Sequence, residues 1–131
     1  MKFYLLVMLS LTSFGVSAKC DQKDADKGIQ SAMNECAHER FKFADNRLNI
    51  VYKNKMKELK KTQEEYPNED ATKELVAKYR AAQLAWLKYR DAQCEDESYG
   101  YYGGSMAPMI YSSCLETLTT DRIKQMNRED R

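Results

Sequence analysis

The feature that most limits the folds open to this chain is one long helical pattern. Over residues 26–63 apolar side chains recur at spacings of three and four, without a proline and with one early glycine. This pattern is typical of an amphipathic helix. The helix must stop at Tyr66, because the residue before Pro67 is pushed out of the helical region. Asn68 or Asp70 can cap a second helix, so the sequence predicts an antiparallel helical hairpin.

Two further helices are expected after the turn. The second is predicted over residues 71–93 on the same periodicity. A third, with Ser105 as its N-cap and Pro108 in its first turn, ends near Met126. Residues 95–105 contain glycines and lack a helical period, so they are predicted to form a loop. The predicted fold is therefore all-α: a small three-helix domain built on a long antiparallel helical hairpin.

The first residues have the features of a secretion signal. A positive residue and an apolar run over residues 3–11 are followed by small residues that end at Ala18, where signal peptidase would cut. We predict a signal peptide over residues 1–18 and a mature domain over residues 19–131, located in the periplasm or outside the cell. The apolar run is short for a membrane span, and the charged residue before Cys20 does not suit lipid attachment. No stable membrane anchor is expected.

All the cysteines lie beyond the predicted cleavage site. An even number of cysteines in an exported chain implies disulfides, here two. The four residues are Cys20, Cys36, Cys94 and Cys114. Zinc ligands usually come in close pairs, which are absent from this sequence, so no metal or other cofactor is expected. Three pairings are possible; folding the hairpin about Pro67 favours Cys36 with Cys94, which leaves Cys20 for Cys114.

Two polar residues, Gln83 and Arg90, fall on the predicted buried arc of the second helix. A buried arginine needs a partner, because an isolated charge in the core costs several kcal/mol. Folding the hairpin brings Asp45 opposite Arg90. We interpret Asp45, Gln83 and Arg90 as a structural polar lock rather than a catalytic pair, because nothing nearby supplies a nucleophile or a base.

The overall charge and the residue inventory argue against two classes of function. Without the predicted signal peptide the chain has 20 basic and 20 acidic residues, whereas nucleic-acid binding needs a basic excess gathered on one face. The sole histidine, His38, is predicted to face solvent, and no nucleophile is positioned to use it. A domain of this size also has little room for the carboxylate cleft of a glycosidase. We therefore predict a binding protein and not an enzyme.

The predicted loop is the best candidate for a binding surface. Tyr99, Tyr101 and Tyr102 stand among glycine and serine, a composition typical of antibody paratopes. Three acidic residues, Glu95, Asp96 and Glu97, could steer a cationic partner, and Ser105 closes the segment. Alternatively, the tyrosines only cover the end of the bundle. The turn at Ser105 could also bind an anion, although helix capping explains it as well.

A set of cysteines, aromatic residues and polar residues occurs along the chain in a distinctive order: Cys20, Cys36, Ala44, Asp45, Leu48, Asn49, Tyr52, Gln83, Trp86, Tyr89, Arg90, Asp91, Cys94, Gly103, Gly104, Ser105, Cys114, Leu118, Thr119 and Arg122. In these residues the chain resembles the bacterial lysozyme inhibitor LprI N-terminal domain family, over nearly all of the predicted mature sequence. The resemblance implies a secreted or periplasmic helical domain that inhibits a lysozyme by protein–protein binding. The alternative is a periplasmic interaction module without lysozyme activity, such as an immunity protein against an envelope-targeted toxin or an assembly factor.

Overall fold

The computed structural model describes residues 20–128, which form four α-helices. These are α1 (Gln22–Asp26), α2 (Gln30–Glu65), α3 (Leu75–Tyr99) and α4 (Ala107–Arg128). No strand occurs in this part of the chain, and none of its helices has the length and hydropathy of a membrane span. The all-α prediction is confirmed, and the five-residue α1 is added to the three helices expected. The predicted signal peptide lies outside the described residues.

The three long helices form a bundle in which α4 runs parallel to α2. Near the start of both helices, the side chain of Asn34 donates to the main-chain oxygen of Ser105 at 3.0 Å. Further along, Arg40 forms an ion pair with Glu116 at 3.1 Å. α3 runs antiparallel to both helices, as the hairpin prediction requires. The most extensive packing of α2 is nevertheless against α4 and not against its hairpin partner.

The core consists of two clusters along the bundle. One contains Leu48, Ile123 and Met126, and the other contains Cys94, Cys114 and Leu115. Because Met126 lies near the end of α4 and packs on Leu48, α4 ends beside the middle of α2. The rings of Tyr52 and Tyr79 stack at 5.6 Å and still pack against the first cluster. Beyond these rings α3 is the only neighbour of α2 among the described residues. We call this two-helix extension, residues 53–78, the hairpin tip.

The turn of the hairpin is organised by a buried threonine. α3 begins at Leu75, later than predicted, and its N-cap Glu74 makes no side-chain capping bond. The hydroxyl of Thr72 instead contacts the main-chain oxygens of Tyr66 and Glu69, the second at 3.0 Å. The prediction that Asn68 or Asp70 caps the second helix was therefore wrong, and the hydroxyl of Thr72 makes the side-chain hydrogen bonds of this turn.

The disulfide pairing differs from the one favoured by the sequence. Cys20 is bonded to Cys36, with Cα atoms 4.6 Å apart, and Cys94 is bonded to Cys114, with Cα atoms 5.5 Å apart. The register that sets Asp45 against Arg90 leaves Cys36 five residues, about 7.5 Å, beyond the level of Cys94. That offset is too long for a bridge, which needs Cα atoms about 4.4–6.8 Å apart.

The bridge between Cys20 and Cys36 depends on α1, a helix that was not predicted from the sequence. The carboxylate of Asp21 accepts a hydrogen bond from the amide of Asp24 at 3.1 Å and caps this short helix. Gly28 then reverses the chain with φ of +81°, a conformation that side-chain-bearing residues rarely adopt. The reversal lays α1 back on the start of α2, so Cys20 reaches Cys36. Each disulfide therefore joins two cysteines that follow one another in the chain, and each closes a short segment.

Candidate functional site

The last turns of α3 and the loop to α4 form one end of the bundle, which we call the tyrosine rim (residues 95–106). The prediction of a loop over all of residues 95–105 was wrong, because α3 continues to Tyr99 and ends at Gly100. No residue before Gly100 breaks the helix. The missing apolar period reflects exposure to solvent on most sides rather than loss of helix. The rim therefore joins a helical half that carries the acidic residues to a seven-residue loop.

Main-chain hydrogen bonds hold the loop in successive tight turns. The amide of Tyr102 donates to the oxygen of Tyr99 at 3.0 Å. The amide of Gly104 donates to the oxygen of Tyr101 at 2.9 Å. Between them, Gly103 has φ of +77°, which favours glycine. A loop that is already bonded in this way loses little conformational entropy when it binds a partner.

Ser105 ties the rim to α2 instead of capping α4. The first helical bond of α4 runs from the amide of Ile110 to the oxygen of Met106 at 3.1 Å, so Met106 holds the N-cap position. Ser105 lies one residue too early for that role, and the capping prediction was wrong. Its main-chain oxygen accepts the hydrogen bond from Asn34. Anion binding at this turn stays a prediction.

The three tyrosines of the rim differ in exposure. Tyr99 is 75 % exposed, Tyr102 is 87 % exposed and Tyr101 is 44 % exposed. The rings of Tyr99 and Tyr102 lie 6.3 Å apart with 27° between their planes. The rings of Tyr99 and Tyr102 project into solvent together, so these two tyrosines do not merely cover the end of the bundle. That alternative suits the less exposed Tyr101.

The three acidic residues of the rim, Glu95, Asp96 and Glu97, are exposed. None of them forms an ion pair within residues 20–128. They lie at the C-terminal end of α3, where the helix dipole disfavours negative charge by about 0.3–1 kcal/mol for each residue. Helical spacing puts Glu95 on the same face as Tyr99. Folding does not explain this arrangement, since it costs stability.

Tyr111 of α4 lies close to Glu95, one of the acidic residues of the rim. Partial burial raises the pKa of its phenol, and the nearby carboxylates of Asp91 and Glu95 raise it further, while Arg90 acts in the opposite direction. The ring also packs against the cluster around the disulfide between Cys94 and Cys114. The rim therefore rests on a neutral tyrosine and a covalent bridge.

Arg90 is the centre of a buried polar layer between α2, α3 and α4. It is 7 % exposed, and its Nη1 donates to Oδ1 of Asp45 at 2.9 Å and to the hydroxyl of Thr119 at 3.3 Å. Its Nε donates to Asp91 at 2.9 Å. The guanidinium lies 5.4 Å from the ring of Trp86. The predicted contact between Asp45 and Arg90 is present, and this geometry supports a structural lock.

Gln83 belongs to a second buried arginine and not to Arg90. Arg122 is 8 % exposed, and its Nε donates to Oε1 of Gln83 at 3.1 Å while its Nη1 donates to Gln125 at 2.6 Å. The same Trp86 ring lies 5.8 Å from this guanidinium. Arg122 was not among the predicted buried residues, although it falls on the apolar period of α4 and its burial could have been predicted from that position.

The remaining candidates for a chemical role are the cysteines, His38 and a small cavity. All four cysteines are in disulfides, which rules out the zinc alternative. His38 is exposed on α2 as predicted, with its ring 6.4 Å from that of Phe41. A small cavity of about 250 Å³ lies between α2 and α3, with the lock residues Asp45, Gln83 and Arg90 in its lining. Those residues are already engaged in hydrogen bonds.

Comparison with known proteins agrees with the resemblance seen in the sequence. The family model of the lysozyme inhibitor LprI matches residues 20–126. An uncharacterized protein of Rhizobium meliloti (strain 1021) is 32 % identical, and the similarity covers 92 % of this chain and 88 % of that protein. No solved structure matches the chain significantly. The family is defined by an inhibitor and not by an enzyme. With nearly all of its helical residues covered, the chain belongs to the LprI lysozyme inhibitor family.

Proposed function

We propose that this protein inhibits a lysozyme by binding it through the tyrosine rim and blocking its sugar cleft. The observation that carries the proposal is the pair of exposed rings, Tyr99 and Tyr102, on a loop that is hydrogen-bonded in place. Tyrosine contributes a large contact area at low entropic cost. Membership of an inhibitor family supports a protein as the target.

The acidic residues of the rim support a basic target. Glu95, Asp96 and Glu97 are exposed beside the tyrosines, and many animal lysozymes are strongly basic. Complementary charge mainly speeds association, and its effect weakens as salt screens the field. Inhibition is therefore expected to set in more slowly at high salt, while dissociation of the complex changes less.

The test is inhibition of cell-wall lysis by a basic animal lysozyme, followed as loss of turbidity against inhibitor concentration. A triple variant, Tyr99→Ala, Tyr101→Ala and Tyr102→Ala, is expected to weaken inhibition by about 100-fold or more, because buried tyrosines are typical hot spots of interfaces. Circular dichroism and thermal unfolding verify that the variant is folded.

The matched control removes two exposed tyrosines from other parts of the surface. Tyr66 is 46 % exposed at the hairpin turn and Tyr89 is 55 % exposed on α3. The double variant Tyr66→Ala and Tyr89→Ala is expected to inhibit like the original protein. Unchanged inhibition by the folded triple variant would reject the rim as the binding site. No inhibition by the original protein of any animal or bacterial muramidase would favour the alternative of another periplasmic interaction module.

Export from the cytoplasm is part of the same proposal. Two disulfides and membership of an inhibitor family are consistent with an oxidising compartment. We propose that residues 1–18 are removed as a signal peptide and that the mature domain begins at residue 19, in the periplasm or outside the cell. Mass spectrometry of the protein from the periplasmic fraction checks this, and an intact leader on a cytosolic product would contradict it.

A further inference from the structure

The outward-facing side of α2 carries a concentration of positive charge. Between residues 42 and 61, all the exposed side chains except one are basic, apolar or asparagine. The basic ones are Lys42, Arg47, Lys53, Lys57, Lys60 and Lys61. The only acidic one, Glu58, is paired with Lys55 at 3.7 Å. We call this surface, roughly 28 Å long at 1.5 Å per residue, the basic face of α2.

Most cations of the basic face lack an acidic partner. Lys42 pairs with Glu39 at 3.1 Å. The other five form no ion pair within residues 20–128. Lys53, Lys57 and Lys61 follow one another at spacings of four, which brings like charges together and destabilises a helix. The whole chain has a net charge of only +1, so the gathering of cations here is a local feature that helix stability does not explain.

Two large apolar side chains lie on the same face. Phe43 is 65 % exposed and Ile50 is 60 % exposed, and their separation of seven residues places them one above the other. The guanidinium of Arg47 lies between them in sequence, 5.9 Å from the ring of Phe43. At its other end the basic face borders an open groove of about 920 Å³, in which Arg80 of α3 adds a further cation and Glu58 and Glu64 are the acidic lining residues.

From this combination we propose that the basic face of α2 binds the surface of an anionic phospholipid bilayer. Cations near such a surface are attracted by its negative potential. Exposed phenylalanine and isoleucine side chains gain free energy by entering the boundary between headgroups and acyl chains. A protein partner fits less well, because lysine is depleted in protein interfaces. Nucleic acid would use the charge but offers no apolar layer for Ile50.

The geometry makes this contact independent of the tyrosine rim. Asn34 of α2 lies at the level of the rim. The basic face begins at Lys42, about 12 Å further along a straight helix, and extends to Lys61, about 40 Å away. The protein can therefore rest on a membrane while the rim is free. The contact is peripheral and reversible, not an anchor.

The test is co-sedimentation of the mature protein with vesicles. Binding is expected to vesicles that contain phosphatidylglycerol, to weaken with added salt, and to be absent with pure phosphatidylcholine. The quadruple variant Lys53→Gln, Lys57→Gln, Lys60→Gln and Lys61→Gln is expected to lower the partition coefficient by more than tenfold, since each cation near the surface contributes about fivefold. Phe43→Ser with Ile50→Ser is expected to lower it by about tenfold.

A matched control removes the same charge from exposed lysines elsewhere: Lys23, Lys73, Lys88 and Lys124. This Lys→Gln control variant is expected to bind vesicles nearly as well as the original protein, and both charge variants are expected to inhibit lysozyme as before. Equal binding by the two charge variants would overturn the proposal. The proposal would also be overturned if the double serine variant bound vesicles as well as the original protein does. Charge alone would then explain the binding, and duplex DNA would be expected to compete for the same face.

Discussion

The two ends of this bundle are built differently. At the rim end, α2, α3 and α4 pack together, and both disulfides lie in this half of the molecule. At the hairpin tip α2 and α3 are the only helices of the described part of the chain, and the buried side chains there are Met56 and Thr72. Stability is thus concentrated where the tyrosines are displayed. A binding loop gains from a rigid support, whereas the tip can open locally at lower cost.

Truncating a buried side chain is expected to cost more stability where three helices pack together than at the hairpin tip. Leu48 is 2 % exposed and contacts α4, whereas Met56 is 9 % exposed at the tip. Leu48→Ala is expected to lower the free energy of unfolding by about 3–4 kcal/mol, from lost burial and the cavity left behind. Met56→Ala is expected to cost about 2 kcal/mol, the low end for such a truncation, because the two-helix region can relax around the change. Urea unfolding measures both values, and equal losses would contradict the distinction.

The disulfide of the rim is expected to matter almost as much. The bond between Cys94 and Cys114 spans 20 residues, and a loop of that length stabilises by about 3 kcal/mol in the chain-entropy model. Cys94→Ser with Cys114→Ser should therefore lower the unfolding free energy by about this amount and also weaken lysozyme inhibition. Urea titration and the lysis assay test the two effects.

The other bridge is the control for that experiment. Cys20 and Cys36 are 16 residues apart, so Cys20→Ser with Cys36→Ser should cost a similar free energy. Inhibition at a temperature where both variants are folded should be retained only in this second variant. Loss of inhibition in both would mean that overall stability, and not local support of the rim, is what the bridges supply.

A smaller effect is expected at the polar lock. Asp45→Asn removes the charge opposite Arg90 but leaves Asp91 as a second partner, and the side chain of Asp45 is 35 % exposed. We expect a loss of about 1–2 kcal/mol, below the value typical of a fully buried pair. Chemical denaturation measures it. A stability equal to that of the original protein would mean that Asp91 alone suffices for Arg90.

The smallest effect concerns pH. The pKa of Tyr111 is raised in the folded state, chiefly by burial and then by Asp91 and Glu95. The unfolded chain therefore loses this proton first, so stability present below about pH 10 declines as pH rises through the unfolded pKa towards the folded one. Tyr111→Phe should show a shallower decline above about pH 10. Thermal unfolding over that pH range checks the slope, and identical slopes would contradict the shift.

The sequence anticipated the lock better than the disulfides, for a physical reason. Arg90 lies on an apolar helical arc, and a buried charge demands a partner, so periodicity and electrostatics together pointed to Asp45. A cysteine has no such requirement for a particular partner. Its pairing depends on chain reversals such as the one at Gly28, whose φ of +81° no periodicity reveals.

Arg122 is a buried residue whose hydrogen-bond partners could not be predicted from the sequence. Its position on the apolar period of α4 was readable, but its partners, Gln83 and Gln125, are neutral amides that could equally have faced water. Only the packing of α3 against α4 brings Gln83 within hydrogen-bonding distance. Gln83 and Arg90 share the buried side of α3, but Gln83 bonds to Arg122 of α4 whereas Arg90 bonds to Asp45 of α2.

The sequence by itself determined the three long helices, the hairpin and the family, since these follow from local periodicity, from Pro67 and from the order of a few residue types. The tertiary structure decided which cysteines pair, how far α3 extends and where the cations of α2 point. The pairing depends on the chain reversal at Gly28 and on the packing of α3 against α4, and the direction of the cations depends on which side of α2 is covered by α3 and α4. Such packing is a property of the assembled bundle, because no single segment specifies which neighbour will cover it.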